Sequence, residues 1–488
     1  MALVQICAAA GGVNALRSTC REMRDTLDRM VVTSAEFVTD GKNYQYDVDG
    51  LSWLARRVPM LVALDVSAGH DMCWPAPWNT GRICDAGIIG RMQHLTSLKA
   101  LHRMLPDGWT LPSSLREVNL CGCGALPRSL TTWPLPASLM DVDFAMCGLN
   151  DERDDGYNWT RPLVAMKRLC VARNLRLTNM SALADHPSLT YLDISGCDVS
   201  CLVVPRTLRV LKAEYCADLS DLTPLRAAAD TLASIDVRGC HKVATLAGIG
   251  TTIETLDACI YVDDPMVAHV CAMTGLRELR GLVINDVSDF SPFAALKSLR
   301  TLVMHVGRPW EMTPVMDLSA IATLTGLHDF EIHGCNRLRN LVPLASLSAF
   351  TKLHVHAFCD GMDHVTALKN LRMLDIIDGF HRVDGWGTSP VCDLSPLTAL
   401  SALTFLRICE FPSVTVLPLG LSCVLEHLDI NCCPRLNDVS SLQSYTMLRS
   451  LSLDGCPLSD LTPLGALTAL TNLRPLRGLD LTLPCNPV

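Results

Sequence analysis

Four histidines stand close together in the middle of the chain, and they are the residues best suited to metal chemistry. His305, His333 and His356 take the same place in three successive strand-like segments, and a fourth, His354, stands beside the last of them. Imidazoles on neighbouring strands could converge on one metal ion, with the carboxylate of Glu331 near enough to contribute. Two other interpretations stay open: ordinary surface histidines, or a contact surface whose charge changes with pH.

Other catalytic patterns are missing from the sequence. The chain has no glycine-rich loop with a lysine for phosphate binding, and no serine on a strand-to-helix elbow. The sequences Cys121-Gly122-Cys123 and Cys432-Cys433 lack the Cys-x-x-Cys spacing of a zinc site. We therefore expect neither enzymatic activity nor a bound cofactor.

The elements that must position these residues are short repeats, which are clearest between Leu425 and Leu470. The unit begins with apolar residues at positions 1, 4 and 6, has cysteine at position 9, and occurs at Leu425 and again at Leu448. Positions 4 and 6 alternate along a short strand and face inward, whereas positions 3, 5 and 7 face outward. Similar starts recur about every 20 to 24 residues from Leu115 onward, and fainter ones begin at Leu61.

This unit resembles the repeat of leucine-rich repeat proteins, and the resemblance covers nearly the whole chain. The Asp-Leu-Thr-Pro-Leu step around Thr223 is similar to the short repeats of bacterial internalins and of phosphatase-regulator proteins. The Gly196-Cys197 variant resembles leucine-rich repeat proteins of kinetoplastid protozoa. The resemblance implies an α/β solenoid, with a curved parallel sheet on the concave face and 3₁₀ or short helices on the convex face. It also implies protein binding, without naming the partner.

Within that step, the hydroxyl residue is expected to cap a helical turn, since Ser and Thr are favoured at the N-cap. The proline after it would then occupy the first position of the helix, where proline is also favoured. Further examples of the step, besides Thr223, are at Ser291, Ser395 and Thr462.

Composition excludes several classes of partner and suggests a compartment. The net charge is -9 and no run of Lys and Arg occurs, which argues against nucleic acid and anionic membranes. No apolar run reaches the length of about 18 residues that spans a bilayer, and no basic segment marks a signal peptide. We expect most of the 23 cysteines to be buried, reduced thiols in the cytoplasm, with a reducing organelle as the alternative. Those at position 9 are Cys123, Cys147, Cys197, Cys216, Cys240, Cys335, Cys433 and Cys456.

Residues 1–50 do not repeat, and their apolar residues at helical spacing predict an N-terminal helical cap. The stretch from Ala15 to Leu27 resembles the closing half of an F-box, although the opening Leu-Pro half is missing. That resemblance implies docking of residues 3–31 on an Skp-type adaptor. The alternative is a cap that only shields the first repeat. Residues 51–110 are predicted to be degenerate first repeats, and 111–488 the solenoid itself.

Carboxylates at position 5 are the first set of candidate partner-binding residues. Strands of neighbouring repeats lie about 5 Å apart, so these side chains would line the concave face and attract a basic partner. The alternative is that they only keep the sheet soluble. The candidates are Asp193, Asp236, Asp257, Glu331, Asp375 and Asp429, interrupted by Lys212, His354 and Arg407; His333 and His356 lie beside them at position 7.

Tryptophans in four irregular stretches, 69–87, 148–162, 306–317 and 378–393, form the second set. Tryptophan in a dispensable loop suits an interface anchor, although each ring could instead fold back over its own repeat. The residues are Trp74, Trp78, Trp159, Trp310 and Trp386. The sequence thus predicts a non-catalytic interaction scaffold, a structural or assembly subunit of a larger complex. The alternative is an F-box-type substrate receptor of a cullin ubiquitin ligase.

Overall fold

The computed structural model describes residues 3–7, 34–38, 61–65 and most of 89–474. The longer gaps in the last range are 285–289, 307–317, 335–341, 357–364 and 378–392. The chain divides into two compact units, Met1–Thr252 (unit 1) and Ile253–Val488 (unit 2).

Unit 1 contains a parallel sheet in which each strand pairs with the next one along the chain. Ten strands fall within its described residues: β1 Leu3–Cys7, β2 Ser34–Val38, β3 Ala63–Asp65, β4 Ser97–Lys99, β5 Glu117–Asn119, β6 Asp141–Asp143, β7 Arg168–Cys170, β8 Tyr191–Asp193, β9 Val210–Lys212 and β10 Ser234–Asp236. Parallel neighbours require a crossover between strands, and here each repeat provides one.

The strands of unit 2 are also parallel, with the same sequential pairing. Its described strands are β11 Thr255–Val262, β12 Glu278–Ile284, β13 Thr301–Val306, β14 Asp329–His333, β15 Lys352–His356, β16 Met373–Ile377, β17 Phe405–Cys409, β18 His427–Asn431, β19 Ser450–Ser452 and β20 Asn472–Leu473. Regular pairing is interrupted by register shifts within β11–β12 and β12–β13.

The core of each unit is a stack of apolar side chains from position 4 of successive repeats. Leu192, Leu211 and Ile235 align in register on β8, β9 and β10, and all three are fully buried. The residues on either side of each are partly exposed, as period-two alternation requires. Burial of one such side chain contributes roughly 1.5–3 kcal/mol, so each repeat is stabilised mainly by its two neighbours.

Short helices follow the strands. Among those in the described residues, two are α-helices, α1 Asp151–Asp154 and α2 Asp264–Cys271. The described 3₁₀ helices are Ile89–Arg91, Asn158–Thr160, Ser181–Leu183, Thr223–Ala228, Ser291–Ala295, Ile321–Thr323, Val342–Ser346, Ser395–Ala399, Ser440–Ser444 and Thr462–Ala466. None of the helices in the described part of the chain is long and apolar enough to cross a membrane.

The expected capping of the Thr-Pro turns is wrong in its detail. Thr223 is inside its 3₁₀ helix, and the N-cap residue, Leu222, makes no side-chain capping bond. The carboxylate of Asp221 accepts the Thr223 N–H at 2.8 Å instead, and hydrogen bonds from the Thr223 hydroxyl and then from this N–H lower the pKa of Asp221. Asp393, Asp438 and Asp460 make the same bond in their own repeats. The aspartate two residues before the helix therefore provides the cap.

The start of the chain also differs from the predicted helical cap. Leu3–Cys7 is a strand that pairs in parallel with Ser34–Val38, which in turn pairs with Ala63–Asp65. Helical spacing of a few apolar residues is weak evidence, and pairing with the sheet overrides it here. The F-box-like stretch 15–27 lies outside the described residues.

The faint repeats within residues 51–110 contribute strands β3 and β4 to the same sheet. Each unit is therefore a leucine-rich repeat solenoid, built from parallel strands and short helices as the sequence predicted.

Candidate functional site

The outward residues at position 5 of unit 2 form one continuous row across five strands. Glu331, His354, Asp375, Arg407 and Asp429 are direct register partners on β14 to β18. We call these five residues the unit 2 row. The sequence placed all of them at this position, and the structure brings them side by side.

Each carboxylate of the unit 2 row lies close to a basic side chain on a neighbouring strand. Glu331 is paired with Lys352. Asp375 lies 2.8 Å from Nδ1 of His354 and 3.7 Å from Nη1 of Arg407, whose Nε is 3.6 Å from Asp429. As a result Asp375 is only 5% exposed, although it is on the outward side of a strand. The acidic series predicted for this face is thus largely neutralised within unit 2.

Three histidine rings pack in series, from His305 through His333 to His354 of the unit 2 row. The ring centroids of His305 and His333 are 4.7 Å apart with an interplanar angle of 19°, and those of His333 and His354 are 4.4 Å apart at 48°. Packing of neighbouring groups around His305, together with the nearby charge of His333, lowers the pKa of His305. We call these three residues the histidine stack.

The metal interpretation gains no support from the described residues, among which no group of three or more His, Cys, Asp or Glu side chains could hold a metal ion. His356 belongs to β15, but its side chain lies outside the described part of the structure.

Position 5 of unit 1 has a local structural role that sequence reasoning missed. Asp193 and Asp236 accept the backbone N–H two residues later, at 3.0 and 3.2 Å, where the strand ends. Asn119 does the same at 3.0 Å without a charge. These are Asx turns, for which Asp or Asn is preferred.

The position-5 candidates outside the unit 2 row also have basic neighbours in the sheet. Lys212 separates Asp193 from Asp236, and Asp257 of unit 2 lies opposite Arg280.

A second outward feature of unit 1 is a row of left-handed residues just before position 9. Arg173 and Tyr215 have φ of 60° and 54°, whereas the equivalent residues Gly196 and Gly239 have 68° and 73°. The Tyr215 ring lies against Gly239, where an added Cβ would be 2.4 Å from a ring carbon. Tyr215 is 70% exposed and Arg173 is also exposed. Position 8 is not part of the apolar repeat pattern, and its only signal in the sequence is glycine, as at Gly196 and Gly239.

Only one of the five candidate tryptophans lies in the described residues. Trp159 is 3% exposed and packs on Phe144 with ring centroids 5.6 Å apart. Its ring is therefore part of the core rather than of the exposed surface. Trp74, Trp78, Trp310 and Trp386 lie outside the described residues.

Position 9 forms a line of buried hydrogen bonds between repeats. The Cys240 thiol donates to the carbonyl of Ala213, at position 6 of the preceding repeat, over 2.9 Å. Cys123, Cys147, Cys197, Cys216 and Cys456 make the same kind of contact. Burial raises the pKa of Cys197 to about 12, which keeps its thiol protonated as a donor. None of the described cysteines is in a disulfide.

No protein-family model and no curated protein sequence matches the chain. Similar solved structures include a leucine-rich repeat protein of Leptospira interrogans, 12% identical with a TM-score of 0.42, covering 93% of this chain and 97% of that one. The functional domain of InlJ from Listeria monocytogenes, which includes a cysteine ladder, is 16% identical with a TM-score of 0.41, covering 85% and 72%. An internalin from Listeria monocytogenes is 19% identical with a TM-score of 0.37, covering 76% and 84%. These likenesses concern the fold alone.

Proposed function

We propose that the protein is a non-catalytic protein–protein interaction scaffold that binds through the outward faces of its sheets. The observation that carries the proposal is the pair of exposed, left-handed residues Arg173 and Tyr215 in unit 1. A left-handed conformation costs a non-glycine residue about 1–2 kcal/mol, and the repeats on either side of Tyr215 avoid that cost with Gly196 and Gly239. Because both side chains are exposed, core packing does not offset the strain.

Tyrosine and arginine are the residue types that most often anchor protein interfaces. Tyr191 and Arg168 lie on the same outward face, with the guanidinium carbon 3.8 Å from the ring centroid. A partner that covers this face would desolvate two aromatic rings and two guanidinium groups together. This supports unit 1 as the principal contact surface.

Carboxylates around these residues favour a basic partner segment. Burial, and then the charges of Glu117 and Asp143, raise the pKa of Asp141, although Arg168 opposes them. Burial and the neighbouring Asp236 likewise raise the pKa of Glu214. A cationic side chain from a partner would relieve this concentration of negative charge. We propose that the partner is a protein with a basic segment.

We further propose that the scaffold is a structural or assembly subunit of a larger complex in the cytoplasm. The support is that each unit has its own outward face, so more than one partner can bind. Buried thiols without disulfides suit a reducing compartment.

The test is affinity capture of partners with the wild-type chain and with Tyr215→Gly. Glycine relieves the left-handed strain, so this variant should unfold at or slightly above the wild-type temperature while losing at least one partner. The control is Val164→Ser, which replaces an exposed apolar residue of the same unit (55% exposed) and should keep every partner. Partners retained by Tyr215→Gly at wild-type levels would refute the proposed contact surface.

The alternative is a substrate receptor that docks residues 3–31 on an Skp-type adaptor. None of the described residues supports it. Leu3–Cys7 is a sheet strand, and residues 8–33 lie outside the described part. The same capture experiment addresses it. An Skp-type adaptor and a cullin among the captured proteins would establish the ubiquitin-ligase function in place of the scaffold.

A further inference from the structure

The histidine stack of unit 2 places titratable side chains on an outward face where the other charged groups form ion pairs with one another. His305 is exposed at one end of the stack, and Val283 is its register neighbour on the preceding strand. His333 is in the middle and contacts both other rings. His354 is at the inner end, where its Nδ1 approaches Asp375. Protons can therefore enter from the exposed end.

The charged groups on the strands around the stack are already engaged with one another. Glu331 is paired with Lys352 and lies 3.7 Å from His333. Asp375 is paired with His354 and Arg407. The charged or titratable groups of β12 to β17 are Glu278, Arg280, His305, Asp329, Glu331, His333, Lys352, His354, Asp375, Arg407 and Cys409, together with His356, whose side chain is not described.

Protonation of the stack would therefore add positive charge that the neighbouring carboxylates cannot fully compensate. Among the permanently charged groups of β12 to β17, the four carboxylates exceed the three cations by one: Glu278, Asp329, Glu331 and Asp375 against Arg280, Lys352 and Arg407. Each proton taken up adds one positive charge, so two protons reverse the sign of this surface. Adjacent imidazolium rings at stacking distance repel each other, and an anionic group placed over them removes that repulsion.

We propose that the histidine stack binds an acidic peptide segment of a protein partner and takes up protons when it does so. The site consists of unit 2 residues and is independent of the contact surface proposed for unit 1. Neutral imidazoles give the segment little attraction at alkaline pH, whereas imidazolium groups attract it strongly in mild acid. Linkage limits the effect to about tenfold in affinity per pH unit for each proton taken up.

The test is fluorescence anisotropy of a labelled oligo-glutamate peptide titrated with the full chain, from about pH 8 to about pH 5.5 at constant ionic strength. Glutamate stays ionised over this range, since its ordinary pKa is about 4.3. The dissociation constant should fall at least tenfold between the two ends. An oligo-lysine peptide should show no such tightening.

His333→Gln should abolish the pH dependence, because His333 contacts both other rings. His305→Gln removes an exposed ring, so it should fold normally and reduce the pH dependence. The matched control is His427→Gln, an exposed histidine on β18 that stacks on Phe405 instead, and it should retain the wild-type slope. A pH-independent affinity in the wild type, or an equal loss of slope in His427→Gln, would overturn the proposal. Neither result would affect the Tyr215→Gly test.

Discussion

Asn174→Ala should destabilise unit 1 by about 4 kcal/mol, because this side chain makes four hydrogen bonds inside the protein. Its Nδ2 donates to the carbonyls of Phe144 at 2.9 Å and Val171 at 2.7 Å. Its Oδ1 accepts the N–H groups of Cys147 at 3.1 Å and Leu149 at 2.9 Å. Asn174 is 1% exposed, so water cannot replace these bonds. Four bonds at about 1 kcal/mol each give a loss of about 4 kcal/mol in the free energy of unfolding. The backbone carbonyl and N–H groups that are left buried without a partner add to this loss.

The matched variant is Asn174→Cys, since cysteine takes this position in the neighbouring repeats, at Cys147 and Cys197. Its thiol should restore the bond to Phe144 alone, so this variant should recover only about 1 kcal/mol of the loss. Urea unfolding, followed by the fluorescence of the nearby buried Trp133 and Trp159, measures the difference in midpoint. Hydrogen exchange of the Leu149 amide checks that the change is local.

If Asn174→Cys unfolds at the wild-type midpoint, or if Asn174→Ala loses less than about 1 kcal/mol, the hydrogen-bond argument is wrong. Packing would then be what holds this position.

Two further predictions concern the outward faces. Gly239→Ala should be more destabilising than Gly420→Ala, because an added Cβ at Gly239 meets the Tyr215 ring, whereas Gly420, at a similar φ of 79°, has nothing within 4 Å. Thermal unfolding measures the difference, and equal midpoints would show that the ring moves aside at no cost. His333 and then Lys352 hold the pKa of Glu331 at about 2, below its ordinary 4.5. The stability from ionised Glu331 is therefore complete above pH 4.5 and is lost as the pH falls toward 2, so Glu331→Gln should flatten the acid limb of stability against pH in that window. An unchanged acid limb would contradict this assignment.

The fold was predictable because it depends on a pattern repeated many times. Inward residues such as Leu192 and Leu211 recur at position 4, and one misjudged repeat does not disturb the others. The position-9 cysteines were likewise predicted to be buried, and every described member of that set is. The start of the chain was misjudged at Leu3–Cys7, because helical spacing of a few apolar residues is weak evidence and this segment instead pairs with the sheet.

The candidate site was less predictable, because its contacts depend on which repeat lies beside which. The sequence placed Asp375 at position 5 between His354 and Arg407, but did not show that these two side chains contact it and cover it. Nor did it reveal the Asx turn of Asp193, since a hydrogen bond to a residue's own turn leaves the apolar pattern unchanged. The left-handed Tyr215 was missed because position 8 also lies outside the apolar pattern.

Strand register in unit 2 does not depend on how much chain joins one strand to the next. Met373 pairs in register with Lys352 before it and with Phe405 after it, although the second connection is considerably longer. Segments inserted after a strand can therefore grow or shrink while the outward rows keep their alignment. The residues of the outward rows and the lengths of the connections can therefore evolve separately. Substitutions on the sheet change an existing contact, whereas insertions between strands add a new one. An engineered binding loop should accordingly be tolerated between β16 and β17.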